Sequence, residues 1–148
     1  MKTATLAERV FWDASGVVLL CAHQPSTAAA RRIRARSSLM AVWWGTAVEV
    51  HSALFRVHRE GGLGSAELAA SLRRLGSICD AALEVTPSEQ LRKLAQDAIA
   101  RNDLRAGDAL QLASALVVCR EHPRGRSFVC FDRKLAAAAT LMGFSVLP

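Results

Sequence analysis

Four acidic residues stand where the predicted strands end or the predicted helices begin. Asp13 directly follows the first predicted strand, and Asp132 directly follows the fourth. Glu49 lies in the first turn of the helix after the second strand, and Asp108 lies near the start of an apolar helix. Each acid alone could simply cap a helix or stabilise its first turn, where the macrodipole favours negative charge. Because functional groups of a parallel sheet gather beyond the carboxyl ends of its strands, we expect the four to meet there.

The segment from residue 104 to residue 116 is predicted to be a helix with almost no polar face. One stripe of this helix carries Leu104, Asp108, Leu112, Ala115 and Leu116 at helical spacing. No basic residue falls within one turn on that stripe, and an ionised carboxylate buried without a partner costs several kcal/mol or more. Asp108 is therefore either a first-turn acid of the helix or a ligand that meets other charged groups.

Carboxylates held close together repel one another, and their pKa values rise unless a cation neutralises them. Three of the four acids have no lysine beside them in the sequence, so a divalent metal ion is the natural cation. Oxygen ligands without histidine or cysteine favour Mg²⁺ or Mn²⁺. Such ions activate water and stabilise charge in reactions at phosphoryl oxygens.

The 148-residue chain carries 19 Lys and Arg against 13 Asp and Glu, a formal net charge of +6. This balance favours a polyanion or an acidic protein as a partner, although arginine-rich helix faces are often only solvated surface. A basic surface around an acidic, metal-binding pocket fits a nucleic-acid phosphodiester, whose backbone the arginines would hold.

Short apolar segments alternate with helical patterns along the chain, which indicates an α/β fold with a mainly parallel sheet flanked by helices. The chain fits one domain, residues 1–148, with a core at about 10–147. Strands are predicted at 9–12, 39–44, 82–85, 127–131 and 144–147, and helices at 26–36, 46–60, from the cap Ser65 onward, 88–101, 104–120 and 132–142.

The cysteines and the apolar runs exclude several other classes of protein. The four cysteines lie far apart without a C-x-x-C pair, so they are predicted to be free and buried rather than bound to zinc or in disulfides. No apolar run is long enough to span a membrane, and the first residues lack the pattern of a secretory signal. We therefore expect a cytoplasmic protein that does not bind membranes.

Taken in order, four segments resemble the PIN-domain family, and more narrowly the VapC-type toxins of bacterial type II toxin–antitoxin pairs. The similarity extends from about Val10 to Leu147, and its most specific part is the third segment together with the fourth. The segments are Phe11-Trp12-Asp13-Ala14-Ser15, Thr46-Ala47-Val48-Glu49-Val50, Leu104-Arg105-Ala106-Gly107-Asp108-Ala109-Leu110-Gln111-Leu112-Ala113 and Phe128-Val129-Cys130-Phe131-Asp132-Arg133-Lys134-Leu135.

The resemblance implies a three-layer α/β/α architecture with a central five-stranded parallel sheet. It also implies an Mg²⁺- or Mn²⁺-dependent endoribonuclease, usually a homodimer, that a cognate antitoxin inhibits by blocking its acidic pocket. By position, Asp13 and Asp108 would be the main metal ligands, and Glu49 would help to bind metal or to orient the attacking water. Asp132 would support a second metal or a water-mediated contact, and Ser15 would buttress the first acid.

Two positions depart from the family pattern. Cys130 stands where a threonine or serine is common, and Gln111 stands where many members have histidine. Neither change removes a predicted metal ligand. The basic residues Arg105 and Arg133 adjoin two of the acids in the sequence, so they are the first candidates for contact with RNA.

Two other classes of function stay open from the residues alone. A phospho-acceptor or small phosphatase of α/β fold also places an aspartate after a parallel strand. It usually needs a D-x-D pair or a lysine beyond a late strand, whereas Asp13 is followed by Ala14 and Ser15. A catalytically silent binding module with this fold is the third class, although four intact acids argue against it.

Overall fold

The computed structural model describes residues 9–37 and 39–148; the first eight residues, to which the sequence assigned no role, lie outside that part. The described strands are β1 (Val10–Trp12), β2 (Met40–Trp43), β3 (Leu83–Val85), β4 (Ser127–Val129) and β5 (Ser145–Leu147). The described helices are α1 (Ala14–Cys21), α2 (Thr27–Arg36), α3 (Thr46–Arg59), α4 (Ser65–Ala81), α5 (Glu89–Arg101), α6 (Ala106–Val118) and α7 (Arg133–Met142).

The five strands form one sheet in the order β3-β2-β1-β4-β5, and every pairing is parallel. From β1 the chain first builds outward to β2 and β3, and it then returns to place β4 on the other side of β1. The strand order therefore reverses between β1 and β4. In open parallel sheets such a reversal opens a crevice beyond the carboxyl ends of the strands, where ligands bind.

The central strands are buried on both faces, since their side chains alternate between two separate cores. Phe11, Ala41 and Phe128 face the core formed with α5, α6 and α7. Trp12 and Val129 face the core formed with α1, α2, α3 and α4. Successive side chains of a strand point to opposite faces of the sheet, so each strand contributes to both cores. This explains why the strand segments are continuous apolar runs.

The structure corrects several predicted boundaries. The sequence predicted no helix directly after the strand at 9–12, but α1 begins at Ala14 and Asp13 is its N-cap. Ser65, predicted to be a cap, is the first residue of α4; the cap is Gly64, whose N–H donates to Glu67 Oε2 (3.2 Å). The helix predicted at 104–120 spans Ala106–Val118, because the backbone is extended at Arg105 and left-handed at residue 120.

Gly16 allows α1 to lie close to the centre of the sheet. A Cβ at this position would come within 3.0 Å of Trp12 Cε3 and 3.3 Å of Val129 Cγ1. Both neighbours are fully buried and belong to the same core. The absence of a side chain at residue 16 therefore sets the distance at which α1 begins, directly after Asp13.

We expect Gly16→Ala to lower the free energy of unfolding by about 1–3 kcal/mol, the usual cost of overpacking a core. Gly76→Ala is the matched control, since Gly76 is also helical but a Cβ there would meet no atom within 4 Å. That control should raise stability by about 0.5–1 kcal/mol through helix propensity. Urea unfolding followed by circular dichroism measures both, and equal effects of the two substitutions would contradict this account of Gly16.

Candidate active site

Asp13 lies where the strand order reverses. Its backbone N–H donates to the carbonyl of Val129 (3.1 Å), which joins the end of β1 to the end of β4. Its side chain is buried, since only 4% of the residue is exposed. Asp13 is also the N-cap of α1, so the first predicted site residue combines both roles that its sequence position allowed.

Two groups donate hydrogen bonds to one oxygen of the Asp13 carboxylate, and one of them, the Ser15 hydroxyl, also accepts a hydrogen bond. Ser15 Oγ donates to Asp13 Oδ1 (2.7 Å), and the N–H of Gly16 donates to the same oxygen (3.3 Å). Ser15 Oγ also accepts a hydrogen bond from the N–H of Phe131 (2.8 Å). Ser15 therefore holds Asp13 and attaches it to the segment that leads into α7.

Burial raises the pKa of Asp13 to about 7, because desolvation disfavours the charged carboxylate. The hydrogen bonds from Ser15 and Gly16 act in the opposite direction, since they stabilise the charged form. The nearby negative charge of Glu49 raises the pKa further. Asp13 is thus a carboxylate for which a neighbouring cation would be strongly favourable near neutral pH.

Glu49 lies in the first turn of α3, as predicted, and is partly buried. Gln111 Nε2 donates to Glu49 Oε1 (3.3 Å) and to Thr46 Oγ1 (3.0 Å), and Gln111 itself is 1% exposed. Burial raises the pKa of Glu49, the Gln111 hydrogen bond opposes this shift, and the charge of Asp108 adds to it. The buried amide of Gln111 thus fixes α6 against α3 at this acid.

Asp108 differs from its prediction in one respect. It lies in the first turn of α6, which is one of the two roles that the sequence allowed, but it is only partly buried rather than surrounded by apolar side chains. Burial raises its pKa, and so does Asp132, but the positive charges of Arg105 and Lys134 lower it. The difference arises because the helix begins at Ala106, which leaves Asp108 at the open end of the apolar stripe.

Asp132 is exposed and is the N-cap of α7, where its Oδ1 accepts a hydrogen bond from the N–H of Leu135 (2.9 Å). The negative charge of Asp132 raises the pKa of Asp108. Cys130, two residues earlier, is buried and lies near both Asp132 and Asp13. The segment after β4 thus runs from the buried side of the site to its exposed side.

The four acids form a row in which each one interacts electrostatically with the next: Asp13, Glu49, Asp108 and Asp132. The structure therefore brings all four predicted residues into one neighbourhood. Within residues 9–37 and 39–148, however, no group of three or more histidine, cysteine, aspartate or glutamate side chains is arranged to hold a metal ion. The acids stand as neighbouring pairs rather than as a preformed cage.

The basic residues around the acids only partly match those chosen from the sequence. Arg105 lies near enough to Asp108 to lower its pKa, while Arg133 is an exposed residue at the start of α7. Sequence reasoning missed Arg56, which lines a cleft of 410 Å³ together with Ser15 and Glu49. The seven-residue spacing between Glu49 and Arg56 was an available signal, because it places both on one face of α3.

Two further predictions from the sequence can be compared with the structure. All four cysteines are free, and three of them are buried, as expected for small apolar residues. In the described part of the chain, no helix is long and apolar enough to cross a membrane.

Comparison with solved structures identifies this architecture. VapC20 of Mycobacterium tuberculosis, a sarcin–ricin loop cleaving toxin, is 18% identical, with a TM-score of 0.68 over 94% of this chain and 99% of that chain. PAE2754 from Pyrobaculum aerophilum is 23% identical, with a TM-score of 0.63 over 95% and 90% of the two chains. A toxin–antitoxin complex from Klebsiella pneumoniae contains a chain that is 14% identical, with a TM-score of 0.62 over 86% and 90%.

These similarities establish a fold. The chain has a PIN-like fold, which VapC20 shares, and the predicted three-layer α/β/α arrangement around five parallel strands is confirmed. No protein-family model matches the sequence. A search of curated proteins likewise produced no match.

The raised pKa of Asp13 has a consequence for stability. Between about pH 4 and pH 7 the folded protein binds this proton more tightly than the unfolded chain, so stability should fall as the pH rises through that range. Asp13→Asn removes the titration and keeps an oxygen that can accept from Ser15 and Gly16. We expect this variant to be more stable than the wild type at pH 8, by up to about 4 kcal/mol, because a rise of about three pKa units corresponds to ~1.4 kcal/mol per unit.

Urea unfolding at pH 5 and pH 8 in EDTA measures this difference. The control is Asp97→Asn, which removes an exposed carboxylate from α5 and should leave the pH dependence unchanged. An Asp13→Asn protein with the pH profile of the wild type would contradict the proposed burial cost.

Proposed function

We propose that this protein is a metal-dependent endoribonuclease, the toxin of a type II toxin–antitoxin pair. The observation that carries the proposal is the row of four acids at the reversal point of a PIN-fold sheet, with its most buried member, Asp13, where the chain crosses from β1 to α1. The fold is shared with VapC20, a sarcin–ricin loop cleaving toxin, which supports RNA as the substrate class.

The atoms that could bind a metal ion at this site fit Mg²⁺ or Mn²⁺. They are carboxylate oxygens, which are the ligands that these hard cations prefer. The Ser15 hydroxyl and the Gly16 N–H both donate to Oδ1 of Asp13, which fixes the orientation of this carboxylate. The pKa values of Asp13, Glu49 and Asp108 are all raised by burial and by a neighbouring acid, which a divalent cation would reverse.

In this proposal Asp13 and Asp108 are the main metal ligands, Glu49 binds metal or orients the attacking water, and Asp132 supports a second metal or a water-mediated contact. When bound, the metal supplies an activated water and stabilises the charge that develops on phosphate oxygens.

The residues of the chain have separate tasks around the proposed site. Ser15 keeps one oxygen of Asp13 in a fixed orientation, and Gln111 does the same for Glu49. Arg105 and Lys134 reduce the repulsion around Asp108. The acids are thereby held in place by groups that are not themselves proposed ligands.

A cognate antitoxin is the proposed protein partner, and the similarity to a toxin–antitoxin complex from Klebsiella pneumoniae supports it. We also propose that the protein forms a homodimer. Two large apolar side chains at the start of α3, Trp44 (54% exposed) and Val48 (67% exposed), support an apolar contact at this end of the helix.

We expect Asp108→Asn to lower RNA cleavage in Mg²⁺ or Mn²⁺ at least 100-fold and to remove growth arrest on expression. The same loss should follow when excess EDTA is added to the wild type, because EDTA removes the metal ion that the proposed reaction needs. Cleavage of a labelled RNA, resolved on a gel, measures both effects. Asp97→Asn, an exposed acid on α5, is the matched control and should cleave as the wild type does.

Cleavage that persists in the Asp108→Asn protein or in EDTA would contradict the proposal. Formation of phospho-aspartate with a small phosphodonor would instead favour a phosphate-handling domain. Calorimetry that detects no Mn²⁺ binding would favour a catalytically silent binding module.

Co-expression tests the antitoxin separately. If the protein is the toxin of a pair, a short reading frame next to its gene should encode a product that restores growth when both are expressed. The product should also form a complex with the Asp108→Asn protein that survives gel filtration. A product that restores growth without binding would contradict direct inhibition.

A further inference from the structure

A cleft of 410 Å³ opens beside Glu49, between α1, α3 and the segments that precede α2 and α7. Its volume lies within the range of about 300–1,000 Å³ that is usual for small-molecule sites. Ser15 and Glu49 line it on the side of the acids, and Phe131 supplies an aromatic ring. The cleft is therefore continuous with the row of acids but extends away from it.

The other polar side chains that line this cleft are those of Gln24, Ser26 and Arg56. Within the described ranges, 9–37 and 39–148, none of these three side chains forms a hydrogen bond or ion pair with another residue. Ser26 is the N-cap residue of α2, yet its hydroxyl makes no capping bond. The cleft thus presents unused donors to whatever enters it.

Arg56 is the cationic residue of the cleft. It lies seven residues after Glu49 on α3, which corresponds to about 10 Å along the helix axis on the same face. A guanidinium at that distance suits a phosphate further along a strand whose scissile phosphate lies at the acids. Aromatic rings such as that of Phe131 commonly stack on unpaired bases of single-stranded RNA.

We infer that this cleft is a nucleotide subsite that holds single-stranded RNA next to the bond to be cut, with Arg56 on a backbone phosphate. Gln24 and Ser26 contact the sugar or base of the same nucleotide. The inference rests on the proposed function for the position of the scissile bond, and it assigns the substrate contact to Arg56 in addition to the neighbours Arg105 and Arg133.

The test measures RNA binding separately from cleavage. A fluorescein-labelled single-stranded RNA of mixed sequence is titrated with the wild-type protein in EDTA at several salt concentrations, and binding is followed by anisotropy. Arg56→Ala should weaken binding about tenfold and reduce the slope of log K against log salt by about 0.7, the value for one phosphate contact on a single strand. Arg56→Lys should restore part of both.

Two matched variants control for general surface charge and for the cleft itself. Arg59→Ala removes an exposed arginine three residues further along α3 that does not line the cleft, and it should change affinity less than twofold. Gln24→Ala should weaken binding two- to fivefold without a change in the salt slope, because an amide carries no charge.

Equal effects of Arg56→Ala and Arg59→Ala would overturn the subsite, and so would an unchanged affinity in Gln24→Ala. Absence of RNA binding by the wild type would overturn it as well, because Arg56 is intact there. Cleavage measured in parallel with Mg²⁺ reports on the proposed function alone. If the wild type cleaves RNA but Arg56→Ala does not change RNA binding, the subsite is contradicted and the proposed function stands.

Discussion

Burial of one carboxylate at the junction of β1 and β4 is the constraint on which the rest of the site depends. Desolvation raises the pKa of Asp13. Hydrogen bonds from Ser15 and Gly16 oppose this rise, and the position of Asp13 at the start of α1 also favours its charged form. The Ser15 hydroxyl accepts from the N–H of Phe131, so the same contact also positions the segment that carries Asp132. The fold supplies this arrangement because the strand order reverses at that junction.

Each of the four acids lies at the start of a helix and is also a candidate site residue. Asp13 and Asp132 are both N-caps, and Glu49 and Asp108 both lie in first turns. Four helices therefore begin near one another, and the positive ends of their dipoles offset part of the repulsion among the acids. Each cap uses Oδ1 of its aspartate, so capping alone does not occupy both oxygens of the carboxylate.

The strands and the four acids could be predicted from the sequence because both signals are local. A strand buried on two faces is an apolar run, and Asp13 and Asp132 come directly after or close behind such runs. The start of α1 was missed, since Gly16 has the appearance of a helix breaker until its packing against Trp12 is known. Arg56 was missed because its importance depends on which face of α3 meets the cleft, and that is set by tertiary packing.

The amide of Gln111 bridges Thr46 and Glu49 in the interior of the protein. An amide neither gains nor loses a proton across the physiological pH range, whereas an imidazole titrates within it. The partner of Glu49 thus keeps the same charge and the same donor in acidified and in neutral surroundings.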